Sequence, residues 1–225
     1  MKIHHVQQGS LEWAMLRCGI PTASEFGNLV TPDFKIRTGE MPKTFLNKKL
    51  AEKWQGAPLD CYQSHDMELG TIQEEEAIPY FTLETGIDVE RVGFVTSDDG
   101  RVGCSPDGLL PDSGIEIKCP RIETHVGYLL ASELPKDYAA QVHGSMFVTG
   151  RTTWRFMSYR RRLPALMLTI ERDEKIQATI RTALEIFNGA FDDAWALLCE
   201  KNGGPPRRSE HQTETKTKFV SETPT

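Results

Sequence analysis

The sequence predicts an α/β (α+β) fold in which a mixed central β-sheet is flanked by helices. Two observations predict it. Short strand-like segments cluster in the middle of the chain, between turns rich in glycine and aspartate. Segments with apolar residues at helical spacing precede and follow that cluster. The chain has 225 residues, 39% of them apolar, which is enough for one domain with a substantial core.

The first half of the chain is predicted to be mainly helical. Its second helix opens at Thr22 or Ser24 as the cap, with Glu25 in the first turn. Its last helix contains Pro79, which predicts a kink, and ends at Gly86. The predicted helices are residues 10–17, 22–30, 43–54 and 66–85, and residues 31–42 are predicted to form a loop.

The second half is predicted to supply the sheet. The predicted strands are residues 87–97, 101–105, 114–119, 153–159 and 164–171. The predicted helices are residues 123–132, 136–149 and 173–201. Residues 203–225 have almost no apolar side chains, and such a segment cannot bury enough surface to offset the entropy of ordering. We therefore expect one domain over residues 1–202, followed by a disordered tail.

Composition narrows the class of protein. The net charge of −6 argues against a protein that coats nucleic acid through bulk charge. Two local basic clusters, at residues 48–53 and 160–162, are either solvated faces or phosphate contacts. The five cysteines include no C-x-x-C pair, which favours free thiols over disulfides or a zinc site. Neither an 18-residue apolar run nor a signal-peptide core occurs, so no membrane association and a cytoplasmic location are expected.

One segment of the sequence contains the candidate catalytic residues. It places Asp107 on a Ser-Pro-Asp-Gly turn, followed nine residues later by Glu116 and then by Lys118. Residues i and i+2 of a strand point to the same side, so Glu116 and Lys118 share one face. Carboxylates are the ligands that a hard divalent cation such as magnesium prefers. A lysine beside such an ion can hold or deprotonate an attacking water, and burial there would lower its pKa.

A plainer interpretation stays open on these residues alone. The turn could simply lead into an amphipathic strand with Glu116 and Lys118 in solvent, while Ile115 and Ile117 face the core.

The spacing matches the PD-(D/E)XK nuclease signature, and further blocks in register support it. The chain resembles the phage lambda exonuclease family, also called YqaJ-type viral recombinases, over residues 8–200. The matching blocks are Leu16-Arg17, Thr22-Ala23-Ser24, a Gly-x-x-x-Glu helix at residues 70–74, Cys-Ser-Pro-Asp-Gly at 104–108, Glu-x-Lys-Cys-Pro at 116–120, a helix with Tyr138, Ala140, Gln141 and Val142, and residues 170–174.

The resemblance implies a restriction-endonuclease-like core and a metal-dependent exonuclease. Such an enzyme digests one strand of linear duplex DNA from a 5'-phosphorylated end, releases mononucleotides and leaves a 3' single strand for recombination. It also implies a ring of three subunits and a single-strand-annealing partner. Residues 34–69 show little similarity to the family, and they would influence how DNA enters and in which direction it is digested.

The resemblance also implies roles for the signature residues. Asp107, Glu116 and the carbonyl of Ile117 would hold the metal, with two Mg²⁺ ions expected and Mn²⁺ as the other candidate. Lys118 would position or activate the water. Glu74 corresponds to the third acid.

Other roles follow from the remaining blocks. Glu75 and Glu76 are rivals to Glu74 as the third acid. Gln141 would help to order the site. Arg17, Ser24 and Ser105 correspond to residues that hold the terminal 5' phosphate.

Two other functions remain open. One is a PD-(D/E)XK endonuclease or junction resolvase, which would also cut covalently closed DNA. The other is a DNA-end-binding module that keeps the fold without catalysis. A missing acid or lysine would mark that module, yet Asp107, Glu116 and Lys118 are all present.

Overall fold

The computed structural model describes residues 1–59 and 65–205, and for residues 65–74 it describes the backbone alone. Most of the tail predicted beyond residue 203 therefore lies outside the described residues. The strands are β1 Lys2–His4, β2 Phe94–Thr96, β3 Gly103–Cys104, β4 Gly108–Leu109, β5 Ser113–Lys118, β6 Thr153–Ser158 and β7 Leu166–Glu171. The α-helices are α1 Leu11–Arg17, α2 Glu40–Gln55, α3 His65–Thr85, α4 Ile122–Ala131, α5 Lys136–Thr149 and α6 Glu174–Asn202, and Ala23–Asn28 forms a 3₁₀ helix.

Two sheets form the centre of the fold. One has the order β1-β2-β3 and is antiparallel. The other has the order β4-β5-β6-β7, in which β5 and β6 are parallel and the other pairs are antiparallel. Helices α4 and α5 make the crossover that parallel strands require. The predicted mixed sheet with flanking helices is confirmed.

Several element boundaries differ from the prediction. The strand predicted over residues 87–97 is reduced to β2, with a single bridge from Glu90 to Leu109 before it. At Gly93 an added Cβ would lie 2.0 Å from the carbonyl oxygen of Val6, so another backbone occupies the space that side chains would need. The helix predicted over residues 22–30 is the shorter 3₁₀ helix, and α2 begins at Glu40, inside the predicted loop.

Strand β5 is buried on both faces. Ile115 and Ile117 pack with Ala77 and Phe81 of α3, whereas Glu116 is 1% exposed. The amphipathic strand with its acid in solvent is therefore wrong, because helices cover both sides of this strand. A charged side chain that is buried on a central strand needs a partner.

The contact between α5 and the 3₁₀ helix is unusually close, which gives a first prediction. A Cβ at Gly144 of α5 would lie 2.6 Å from the ring of Phe26 and 3.1 Å from the Cβ of Ala23. We expect Gly144→Ala to lower the free energy of unfolding by about 1–3 kcal/mol, because an extra methyl in a packed interior forces side chains to shift. Urea unfolding measures this. Gly189→Ala on α6, where nothing lies within 4 Å of the added atom, is the control and should not destabilise the protein.

The core lies between the sheets and helices α2, α5 and α6, with a second cluster between α3 and β5. No helix in the described part of the chain is long and apolar enough to cross a membrane.

Candidate active site

The hairpin formed by β4 and β5 brings the two signature acids together. Asp107 lies just before β4, and Gly108 pairs with Ile115. The amide N–H of Ile117 donates to Asp107 Oδ2 at 2.5 Å. The turn and the strand are therefore one unit, and Asp107 is held beside the residue between Glu116 and Lys118.

Glu116 lies at the centre of this group. Its Oε1 accepts hydrogen bonds from Lys118 Nζ and from the Gln141 side-chain amide, both at 2.6 Å. Lys118 Nζ also lies 5.1 Å from the centre of the Tyr138 ring. Gln141 and Tyr138 both belong to α5, which covers this face of β5. The structure thus brings Asp107, Glu116, Lys118 and Gln141 together.

Burial and charge act on these groups in opposite directions. Removal from water raises the pKa of Asp107, although Lys118, the Ile117 N–H and Arg91 all act to lower it. Burial acts to lower the pKa of Lys118, but the attraction of Glu116 and Asp107 outweighs it and the pKa is raised. This is the opposite of the shift expected from the sequence for Lys118. With these side chains alone, its ammonium form is favoured.

A cavity of about 280 Å³ opens beside Asp107 and Ile117. Gln8 and Arg91 also line it, and neither was identified from the sequence. Gln8 donates to the carbonyls of Val92 and Pro106, at 3.1 and 2.8 Å, and so fixes the Ser-Pro-Asp-Gly turn. Neither residue belongs to the signature or to another matching block, so only the fold could place them here.

The third acid is the least defined of the predicted ligands. The side chain of Glu74 lies outside the described residues. Its position on α3 is one turn before Ile78, which lines the cavity. Glu75 also lines the cavity, whereas Glu76 lies 3.7 Å from Arg161. Of the two rivals, Glu75 is therefore the one placed near Asp107.

The residues present fit a divalent cation. Asp107 and Glu116 are two converging carboxylates, and magnesium is commonly held by one or two carboxylates together with water and substrate phosphates. Burial raises the pKa of Asp107, and a cation bound beside it would favour its carboxylate form. Within residues 1–59 and 75–205, no group of three or more His, Cys, Asp or Glu side chains forms a metal site.

The free-energy cost of ionising the buried Asp107 side chain gives a second prediction. Asp107→Asn keeps an oxygen that can accept from the Ile117 N–H but removes the charge. Because the folded-state pKa of Asp107 is raised, its ionisation costs stability as the pH rises above the usual aspartate value of about 3.9. We expect the variant to be inactive yet to melt at a higher temperature at pH 7 in EDTA, with the difference shrinking towards pH 4. An equal or lower melting temperature at pH 7 would contradict this.

A second cluster surrounds Arg17. Its guanidinium donates to Ser105 Oγ at 2.9 Å, to Thr22 Oγ1 at 3.3 Å and to Ser24 Oγ at 3.5 Å. The structure therefore brings Arg17, Ser24 and Ser105 together, and Thr22 joins them. Ser105 lies only two residues before Asp107, so one turn links this cluster to the carboxylates.

Trp13 completes the Arg17 cluster. Its indole N–H donates to Ser105 Oγ at 2.9 Å, and the Arg17 guanidinium lies 4.3 Å from its ring centre. Burial lowers the pKa of Arg17, against the attraction of nearby Glu25 and Glu52. A desolvated guanidinium with hydroxyl neighbours is suited to hold a phosphate.

The predicted basic clusters have less exposed charge than the sequence suggested. Lys49 is 3% exposed and forms ion pairs within the protein. The ammonium of Lys53 lies 4.4 Å from the Trp195 ring centre, and Arg160 donates to the carbonyl of Pro120. Lys49 is therefore not an exposed charge, whereas Lys53, Arg161 and Arg162 remain exposed.

The sequence model of the YqaJ-like viral recombinase domain matches residues 12–152, which is more than half of the chain. The chain belongs to this family. No protein with a curated description matches the chain.

Solved structures agree with the family. The chain is similar to the alkaline exonuclease LHK-Exo from Laribacter hongkongensis, with a TM-score of 0.77, 28% identity and coverage of 86% of this chain and 98% of that chain. The complex of LHK-Exo with dAMP matches with a TM-score of 0.78, 28% identity and the same coverage.

A phage-related exonuclease from Haemophilus somnus, at 14% identity, shares the fold, with a TM-score of 0.56 over 88% of this chain and 97% of that one. The family and the LHK-Exo structures support a nuclease of the lambda exonuclease type.

Proposed function

We propose that the protein is a metal-dependent exonuclease that digests one strand of linear double-stranded DNA from a 5'-phosphorylated end. The observation that carries this proposal is the group formed by Asp107, Glu116 and Lys118, which shares one turn with the Arg17 cluster. An anion-binding cluster beside a hydrolytic group would seat the terminal phosphate while the next phosphodiester is cut.

The chain's own residues define the chemistry. Glu116 holds the Lys118 ammonium at 2.6 Å, and Gln141 holds Glu116 from the other side. Lys118 is thereby placed to position a water and to stabilise charge that develops on the scissile phosphate. Asp107, Glu116 and the Ile117 carbonyl would hold the cation, with Glu74 as the proposed third acid. A bound divalent ion supplies Lewis-acid stabilisation and lowers the pKa of a bound water.

The proposed product and direction of digestion follow from the Arg17 cluster. Arg17, Ser24 and Ser105 would bind the 5' phosphate, so each cut would release one mononucleotide and leave the other strand as a 3' overhang. The solved complex of LHK-Exo with dAMP, a deoxynucleoside monophosphate, supports mononucleotide release. Two Mg²⁺ ions, a ring of three subunits and an annealing partner protein are further proposals that rest on the family resemblance. A cytoplasmic location is a proposal that rests on the sequence composition.

One experiment tests the activity. The protein is incubated with Mg²⁺, Mn²⁺ or EDTA and three labelled substrates: linear duplex with a 5' phosphate, the same duplex with a 5' hydroxyl, and a covalently closed circle. We expect mononucleotides from the phosphorylated ends only with metal, and an intact circle. Cutting of the circle would instead indicate an endonuclease or resolvase. Binding without cleavage under every condition would indicate an end-binding module.

A further inference from the structure

A buried ion network lies directly behind the Arg17 cluster. Lys49 of α2 is 3% exposed and Glu52 is 5% exposed. Lys49 Nζ lies 2.9 Å from Glu25 Oε2 and 3.1 Å from Glu52 Oε2. Two buried charges meet the partly buried Glu25 here, and removing charged groups from water costs free energy that their pairing has to offset.

Both carboxylates of this network also hold the backbone around Arg17. Glu25 Oε2 accepts from the amide of Thr22 at 3.2 Å and from its hydroxyl at 2.9 Å. Glu52 Oε2 accepts from the amide of Gly19 at 3.0 Å. Residues 19–22 connect α1 to the 3₁₀ helix, so the network fixes the segment between Arg17 and Ser24.

The hydrogen bonds form a directional chain. Arg17 donates to Thr22 Oγ1 at 3.3 Å, the Thr22 hydroxyl donates to Glu25, and Lys49 compensates the charge of Glu25. Because the Thr22 hydroxyl uses its hydrogen in the bond to Glu25, its oxygen is left to accept a hydrogen bond from Arg17. A change at Lys49 would therefore reach Arg17 through a chain of ordered contacts.

The positive charge of Lys49 also affects how Arg17 binds an anion. Glu25 and Glu52 both attract the Arg17 guanidinium. Without Lys49 these two carboxylates would compete with any anion that approaches Arg17. With Lys49 in place, and with the partly exposed Lys48 ammonium 3.9 Å from Glu25 Oε1, the charges of both carboxylates are compensated, and the guanidinium remains available to a phosphate.

We propose that Lys49, acting through Glu25 and Glu52, is a positioning residue that sets the preference of the Arg17 cluster for a phosphorylated 5' end. The inference rests on the proposed function, because it assumes that Arg17 reads the terminal phosphate. Lys49 itself does not touch the DNA.

The test is the ratio of digestion rates on duplexes that carry a 5' phosphate or a 5' hydroxyl. Both rates come from one protein sample, so the ratio does not depend on how much of a variant is folded. We expect Lys49→Met to lower the ratio about tenfold or more, mainly by raising KM for the phosphorylated end. Lys43→Met is the matched control, because Lys43 lies on the same helix in an exposed pair with Glu40 at 3.0 Å, and it should keep the wild-type ratio.

A double variant separates charge from packing. Lys49→Met with Glu52→Gln removes one positive and one negative charge, which restores the balance beside Arg17, and we expect it to recover much of the ratio. A merely structural role would leave the double variant no better than the single one, and that result would overturn the inference. An unchanged ratio in Lys49→Met would also overturn it. Equal rates on both ends for the wild type would refute end recognition by Arg17 itself, which is a failure of the proposed function.

Discussion

Replacement of Lys118 by alanine is expected to lower the rate of DNA cleavage by about 10³-fold, in line with the loss of a positioned acid–base or charge-stabilising group. Lys118 Nζ lies 2.6 Å from the Glu116 carboxylate, and the attraction of Glu116 and Asp107 favours its ammonium form. Gel-based initial rates on phosphorylated duplex measure the loss. DNA binding, followed by fluorescence anisotropy in EDTA, should change by less than about threefold, because Lys118 acts on the reacting phosphate alone.

The alanine variant also removes a partner from the buried Glu116, so its fold must be controlled. Lys118→Gln retains an amide that can donate to Glu116 but carries no charge, and we expect it to be as inactive as the alanine variant. Lys136→Ala removes an exposed lysine that lies 3.7 Å from Asp33 and should keep full activity. Wild-type turnover in either Lys118 variant, at normal thermal stability, would rule out the mechanism proposed here.

The sequence predicted the local parts of this site because their signals are local. An i, i+2 spacing on a strand and a Pro-Asp-Gly turn are properties of a few adjacent residues, so Glu116, Lys118 and Asp107 could be grouped in advance. The burial of Glu116 could not be predicted in the same way. It depends on α3 and α5 covering the two faces of β5; α5 belongs to the crossover to β6, whereas α3 comes from earlier in the chain.

The Arg17 surroundings show the same limit. Arg17, Ser24 and Ser105 were predicted by resemblance, but Lys49 was assigned to a basic cluster on a helix. A lysine on a helix is usually solvated, and only the packing of α2 against the turn after α1 shows that this one is buried between two acids. Pairs that lie 24 to 33 residues apart, such as Lys49 with Glu25 or Glu52 with Gly19, leave no periodic trace in a sequence.

The second large effect is expected at Arg17. Arg17→Lys keeps the positive charge but replaces a planar group with five donors by a point charge with three. The guanidinium donates to Ser105 from one nitrogen and to Thr22 and Ser24 from another, a fork that an ammonium cannot reproduce. Each hydrogen bond to a charged group contributes about 1.5–3 kcal/mol. We therefore expect the preference for a 5' phosphate over a 5' hydroxyl to fall by about 10- to 100-fold.

Competition assays with the two labelled duplexes measure this preference directly. Arg101→Lys is the control, because Arg101 pairs with Asp192 at 2.8 Å and takes no part in the cluster. The rate on hydroxyl ends should stay near the wild-type value in Arg17→Lys, since the carboxylates and Lys118 are unchanged. A parallel fall on both ends would mean that Arg17 supports the shape of the site rather than the recognition of phosphate. If Arg17→Lys kept the preference for a 5' phosphate, positive charge alone would be sufficient to recognise that end. The arrangement of Thr22, Ser24 and Ser105 around the guanidinium would then need another explanation.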